Sequence, residues 1–183
     1  MAKGIHIWGY RDWFLEQLGM YAAYHRDRRN QLTHHVGVPL IVFSLLVALS
    51  QVTLARGGDV TLTAATVVLG LLLAGYVVAV PLVGGFTAIF YAGVHGLALE
   101  IASLSSTLIW SIAGGGFVAG WIIQFLGHVF EGRRPALTVN ALQIFMAPPF
   151  LIAEILFALG VEKELERQLQ HRALSYLPAP GAP

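Results

Sequence analysis

Between Val36 and Gly127 the chain carries only three formally charged residues, Arg56, Asp59 and Glu100. A soluble fold needs a polar face on every helix or strand, and a stretch this poor in charge cannot supply one. Charged residues make up 11% of the chain and hydrophobic residues 56%, about half the charged share of an ordinary soluble domain. That balance excludes a soluble globular enzyme, a disordered chain and a nucleic-acid binder. It makes the lipid bilayer the first partner. The net charge of +1 points to no other. With no cysteine in the chain, disulfides, thiolate metal sites, iron–sulfur clusters and a cysteine nucleophile are excluded.

Five apolar blocks can be marked off, at 36–55, 62–83, 86–104, 107–127 and 139–160. Each is close to the roughly 20 residues with which an α-helix crosses about 30 Å of hydrocarbon. The separators are RGGD at 56–59, Gly84–Gly85, and the serines Ser103, Ser105 and Ser106. Links this short force neighbouring helices to be antiparallel. The fold class is therefore an all-α integral membrane protein with four transmembrane helices in two hairpins. The fifth block holds Pro148 and Pro149 in its middle, and a double proline breaks a helix. It is either a kinked span or a segment that enters and turns back.

Three regions follow. Residues 1–35 hold an interfacial amphipathic helix over 8–25 and a first histidine motif, with Trp8, Trp13, Phe14, Leu18, Tyr21 and Tyr24 as anchors. They lack the basic start, apolar run and cleavage site of a signal peptide, so they are expected to be kept. Residues 36–160 hold the transmembrane helices and a second histidine motif at 124–137. Residues 161–183 hold a charged helix over Glu162–Arg172 and a tail, LPAPGAP, expected to be disordered. Arg26, Arg28 and Arg29 precede the first span, and Arg133 and Arg134 follow the fourth. An even number of spans puts both clusters on one face, and the positive-inside rule makes that face cytoplasmic.

The histidines follow the same division. His25, His34 and His35 lie just before the first span and His128 just after the fourth, all at one membrane level. On one straight helix His25 and His34 would point about 180° apart. They converge only if the chain bends between them, with Asn30 as the expected cap of the second helix. His128 and Glu131 are spaced to share a helix face. Together, His25, His34, His128 and Glu131 offer nitrogen and oxygen donors suited to iron, zinc or manganese, and two or three histidines with open positions suit an iron(II) oxygenase. The plainer reading is that these histidines sit among lipid headgroups.

Other groups have two readings as well. His35 points about 100° away from His34, and Glu154 is a lone carboxylate in the fifth block. Either one, like Asn30, is a further ligand or a support for one. Arg133 and Arg134 anchor the topology or pair with a headgroup or a substrate carboxylate. His95 and Glu100 form a hydrogen-bonded pair within the bundle or, with Glu154, the ion path of a transporter. A bis-histidine haem protein and a structural scaffold also remain open. No GxSxG, Walker-type loop, HExxH or CxxC is present, which removes the usual hydrolase, nucleotide and zincin readings.

Two segments carry a resemblance. Tyr24-His25, Asn30 and His34-x-x-Gly37-x-Pro39 resemble the first signature of the small membrane family that includes the fungal dioxygenase of phytosphingosine breakdown. Gln124-Phe125-x-Gly127-His128-x-Phe130-Glu131, followed by Arg134-Pro135-Ala136-Leu137, resembles its second. The likeness extends over about residues 8–160. It implies an Fe2+-dependent enzyme that uses O2 to shorten 2-hydroxy fatty acids by one carbon, an α-oxidation. His25, His34 and His128 match the family's essential histidines. With that chemistry in view, Glu131 and Arg134 are the candidate catalytic residues and Arg133 the candidate substrate-binding residue. The expected location is the cytoplasmic membrane of a bacterium or the endoplasmic reticulum membrane of a eukaryote.

Overall fold

A polar turn after the aromatic N-terminal segment sets where the architecture begins. In the computed structural model, which describes residues 7–58 and 60–177, α1 (Ile7–Ala23) ends at this turn and α2 (Arg28–Leu49) starts from it. Asp27 caps α2 by accepting the Arg29 backbone N–H at 2.8 Å, as short polar side chains do at helix starts. Asn30, expected in that role, instead lies inside α2 and is fully buried.

The all-α class holds along the described chain except for one short two-stranded hairpin after α2. Strands β1 (Thr53–Gly57) and β2 (Val60–Thr63) pair antiparallel around Gly58, whose φ is 56°. The ends of the first two apolar blocks are therefore strand. Thr53, Thr61 and Thr63 are β-branched residues that favour a pleated surface, and an apolar run alone does not separate helix from strand.

Next come α3 (Ala64–Ala79), α4 (Pro81–Ile101) and α5 (Ser106–Glu131). The break between α3 and α4 falls at Val80–Pro81, and the expected separator, Gly84–Gly85, lies inside α4. Proline suits a first helical position because its φ is preset and the missing N–H had no partner there. α5 stops at Gly132, which takes the left-handed conformation at φ 68° that ends many helices. Two 3-10 turns at 136–138 and 141–145 lead to α6 (Ala147–Ala158), and α7 (Lys163–Ala173) follows. Pro148 and Pro149 lie in the first turn of α6. They open a short helix and do not break a long one.

Among the described residues three helices, α2, α4 and α5, are long and apolar enough to cross a membrane. α3 has 16 residues, about 24 Å against roughly 30 Å of hydrocarbon. It nevertheless runs antiparallel to α4, with Thr66 bonded to His95 and Tyr76 against Gly84, so these four helices alternate in direction. α2 and α5 pack antiparallel at glycine contacts. A Cβ on Gly120 would lie 2.6 Å from Ile41 Cγ1, and one on Gly127 would collide with Thr33 Oγ1 and Asn30 Oδ1. Small residues let the two backbones approach, which places the start of α2 against the end of α5.

α1 packs against α3, α6 and α7, with Phe14, Leu18 and Tyr21 buried in the core beside Tyr76, Phe150 and Leu169. Those three expected anchors face protein, while Trp13 is exposed. The Trp8 side chain and the tail beyond Leu177 lie outside the described residues. The charged helix α7 docks on α1, where Arg172 pairs with Glu16 at 2.7 Å and with Asp12.

Candidate metal centre

Three buried imidazoles meet where α1, α2 and α5 converge. His25 stands in the turn after α1, His34 in the second turn of α2 and His128 in the last turn of α5. One nitrogen from each lies within 4.8 Å of the others. The chain bends at Tyr24–Asp27, so His25 and His34 converge although they are nine residues apart.

The protein fixes two of the three tautomers. His25 Nδ1 donates to the Tyr21 carbonyl at 2.8 Å and His34 Nδ1 to the Asn30 carbonyl at 2.9 Å. A carbonyl only accepts, so each proton is on Nδ1 and each Nε2 carries a lone pair. Those two Nε2 atoms are 3.1 Å apart. With no proton to share they repel, unless a cation lies between them. Two nitrogens about 2.1 Å from one metal are about 3.0 Å apart at a right angle and about 3.4 Å at the tetrahedral angle. The observed separation falls in that range. His128 packs edge-on against both other rings, and its buried Nδ1 has no hydrogen-bond partner among the described residues. The residues present therefore fit a metal ion held by three imidazoles. Burial, and after it the neighbouring His34, holds His25 well below the ordinary histidine value. It is neutral, as a ligand must be.

Other groups hold the turn in place. The Tyr21 ring stacks on His25 at 3.9 Å with the planes 7° apart. Glu131 does not turn to the three rings. Its carboxylate accepts the backbone N–H of Arg26 at 3.0 Å and of Asp27 at 2.8 Å, and Asn30 Nδ2 at 3.0 Å, tying the turn to the end of α5. Arg133 lies over the Tyr24 ring at 4.1 Å and donates to the carbonyls of Ala23 at 2.7 Å and Tyr176 at 3.2 Å. Arg134 is exposed.

His35 and Glu154 form a separate pair, 3.8 Å apart, while His35 Nδ1 donates to the Gln31 carbonyl. His95 and Glu100 do not form the expected pair: His95 bonds Thr66 at 3.0 Å and Glu100 is exposed. They sit toward the hairpin end of α4, whereas Glu154 stands by the start of α2. The three do not line one path.

From the histidines a cavity of about 300 Å³ runs between the helices, walled by Leu45, Leu49, Val68, Leu72 and Phe125. The stretch from His34 to Leu49 along its α2 wall is about 22 Å, room for a long acyl chain to lie extended. A polar histidine end and a long apolar stretch thus share one cavity. A profile of the family described as 2-hydroxy-palmitic acid dioxygenase Mpo1-like matches residues 12–159. This chain belongs to the Mpo1-like family. It is 38% identical over 159 residues to the 2-hydroxy-palmitic acid dioxygenase MPO1 of Saccharomyces cerevisiae, covering 85% of this chain and 86% of that protein. No solved structure matches it.

Sequence reasoning passed over two groups in this Mpo1-like site. Tyr21 entered only as an anchor facing either membrane or bundle, although its spacing of four from His25 puts the two on one helical face. Gln143, buried in the cavity wall, carried no local signal at all.

Proposed function

We propose that this protein is an iron(II)-dependent dioxygenase that shortens 2-hydroxy fatty acids by one carbon with O2. The observation that carries the reading is the pair of Nε2 lone pairs facing each other at 3.1 Å, with His128 beside them, at the head of an apolar cavity. The name of the yeast relative supplies the substrate class. When bound, iron(II) supplies the Lewis acidity and the electrons that O2 chemistry on a chelating 2-hydroxy acid requires.

The residues of the chain do the rest. His25, His34 and His128 would hold the ion through neutral nitrogens and leave positions for substrate and O2. The carbonyls of Tyr21 and Asn30 keep two of those rings in the ligating tautomer. The cavity walls take the acyl tail and exclude water from the head. Arg134, exposed just before the cavity-lining Pro135, Ala136 and Leu137, offsets the substrate carboxylate. Glu131 acts by positioning the turn that carries His25. Arg133, bound to carbonyls of α1 and of the C-terminal segment, reaches substrate only if it gives up those bonds. The site faces the cytoplasm, from a bacterial cytoplasmic membrane or from the endoplasmic reticulum.

The deciding experiment measures iron in protein purified without oxygen, alongside His25→Ala, His34→Ala and His128→Ala. Near-stoichiometric iron that all three variants lose, with O2 uptake on 2-hydroxypalmitic acid, is the expected result. Folded protein that takes up no iron after anaerobic reconstitution overturns the proposal. Sidedness is read by single cysteines at positions 56 and 134 of this cysteine-free chain. Only the second should react with an impermeant thiol reagent from the cytoplasmic side, and the opposite pattern rejects a cytoplasm-facing site.

A further inference from the structure

One amide in the cavity wall has its orientation set by a chain of unambiguous donors. The Leu142 backbone N–H can only donate, and it bonds Asn140 Oδ1 at 3.0 Å. Asn140 Nδ2 is therefore the free branch, and it donates to Gln17 Oε1 at 2.7 Å. The same Gln17 oxygen accepts Gln143 Nε2 at 3.0 Å. Nitrogen and oxygen cannot be exchanged at any step without opposing two donors or two acceptors. Gln143 is 1% exposed, and its Oε1, the branch turned away from Gln17, is buried with no partner.

Gln143 lines the same cavity as His25, His34 and His128. Its place is at the histidine end. Gln17, which holds it, lies one turn before Tyr21 on the same face of α1, and Tyr21 stacks on His25. An orphan acceptor at this burial is disfavoured until a donor reaches it.

We propose that Gln143 recognises the 2-hydroxyl group of the substrate by accepting its O–H at Oε1. This deepens the 2-hydroxy fatty acid reading and rests on it. The alternatives at C2 do not satisfy the amide: an unsubstituted acid has no donor there, and a 2-oxo acid presents only another acceptor. The substrate carboxylate is likewise acceptor-only and is kept off this position. Gln143 is thus a specificity-determining residue, and Gln17 is the positioning residue that holds its nitrogen and leaves its oxygen as the free branch.

The test is equilibrium binding of palmitic, 2-oxopalmitic and 2-hydroxypalmitic acid to metal-free full-length protein in nanodiscs, with KM and kcat on the iron-loaded enzyme alongside. The native protein should prefer the 2-hydroxy acid by about tenfold or more over both analogues, since a site built around a hydroxyl rejects ligands that lack it. Gln143→Met should abolish that preference and leave palmitic acid binding within about twofold. Gln17→Met frees the amide to turn, so 2-oxopalmitic acid should gain. A folded Gln143→Met protein that keeps the preference overturns the assignment. So does a uniform weakening of all three acids in both variants, which is what a packing role predicts. Native protein that turns over the 2-hydroxy acid but binds palmitic acid equally well overturns this proposal alone. Iron-loaded native protein that neither binds nor turns over the 2-hydroxy acid removes the functional reading and this assignment together.

Discussion

The Glu131 carboxylate, at the end of α5, accepts the backbone N–H of Asp27, 104 residues earlier, at 2.8 Å. Through that bond and its neighbours at Arg26 and Asn30, the helix carrying His128 holds the turn carrying His25. Glu131→Gln keeps the shape but replaces one acceptor oxygen with a donor. The turn should loosen and iron affinity should fall about 10- to 100-fold, as when a group orienting a metal ligand is lost. Competition against a graded chelator measures it. Unchanged affinity would show that the turn stands without Glu131.

Gly127 has no room for a methyl group, because Thr33 and Asn30 occupy the space. Gly127→Ala should push α2 from α5 beside His128 and destabilise the protein by about 1–3 kcal/mol. Gly115 meets nothing within 4 Å, so Gly115→Ala is the control. Thermal unfolding in detergent compares the two, and equal midpoints would remove the close-approach argument.

Arg133 makes two carbonyl hydrogen bonds and one contact over an aromatic ring. A lysine cannot reproduce that planar fork. Arg133→Lys should cost about 1–3 kcal/mol and leave KM for the 2-hydroxy acid near its native value. A large rise in KM at unchanged stability would instead place Arg133 on the substrate.

The docking of α7 on α1 should be sensitive to acid. The Glu16 carboxyl is held below its ordinary value of 4.5, first by the Tyr176 hydroxyl and then by Arg172. The folded state therefore binds fewer protons there than the unfolded chain. The contact contributes fully above about pH 4.5 and is lost as pH falls through the lowered value. Hydrogen exchange across 163–173 should quicken in the native protein as pH falls below the ordinary carboxylate value of 4.5, and be faster already at neutral pH in Glu16→Gln. Exchange that is pH-independent, after correction for intrinsic rates, would show that Glu16 does not hold the helix.

Much of the site can be read along the chain, because its pieces lie in two short segments. The charge-poor stretch from Val36 to Gly127 by itself requires an apolar surrounding, and the run of arginines and histidines at both its ends marks where polar chemistry gathers. Local rules served where helical spacing alone decides, as for His25 and His34, which converge only because the chain bends between them. They misled where two signals competed. Asn30 is as good a cap as Asp27 in isolation, and Pro148–Pro149 reads equally as a break or a start. The threonine-rich segment after α2 is apolar enough to pass for helix.

Apolar helices, the two histidine motifs and the family resemblance are legible in the chain alone, since they depend on composition and on spacings of a few residues. That His25, His34 and His128 share one point, that Glu131 faces the turn and that Gln143 lines the cavity emerges only from the folded chain. Each of those depends on contacts between residues about a hundred positions apart. Such contacts are set by how closely glycine lets α2 and α5 approach and by which groups remain unpaired after they do, and no local spacing records either.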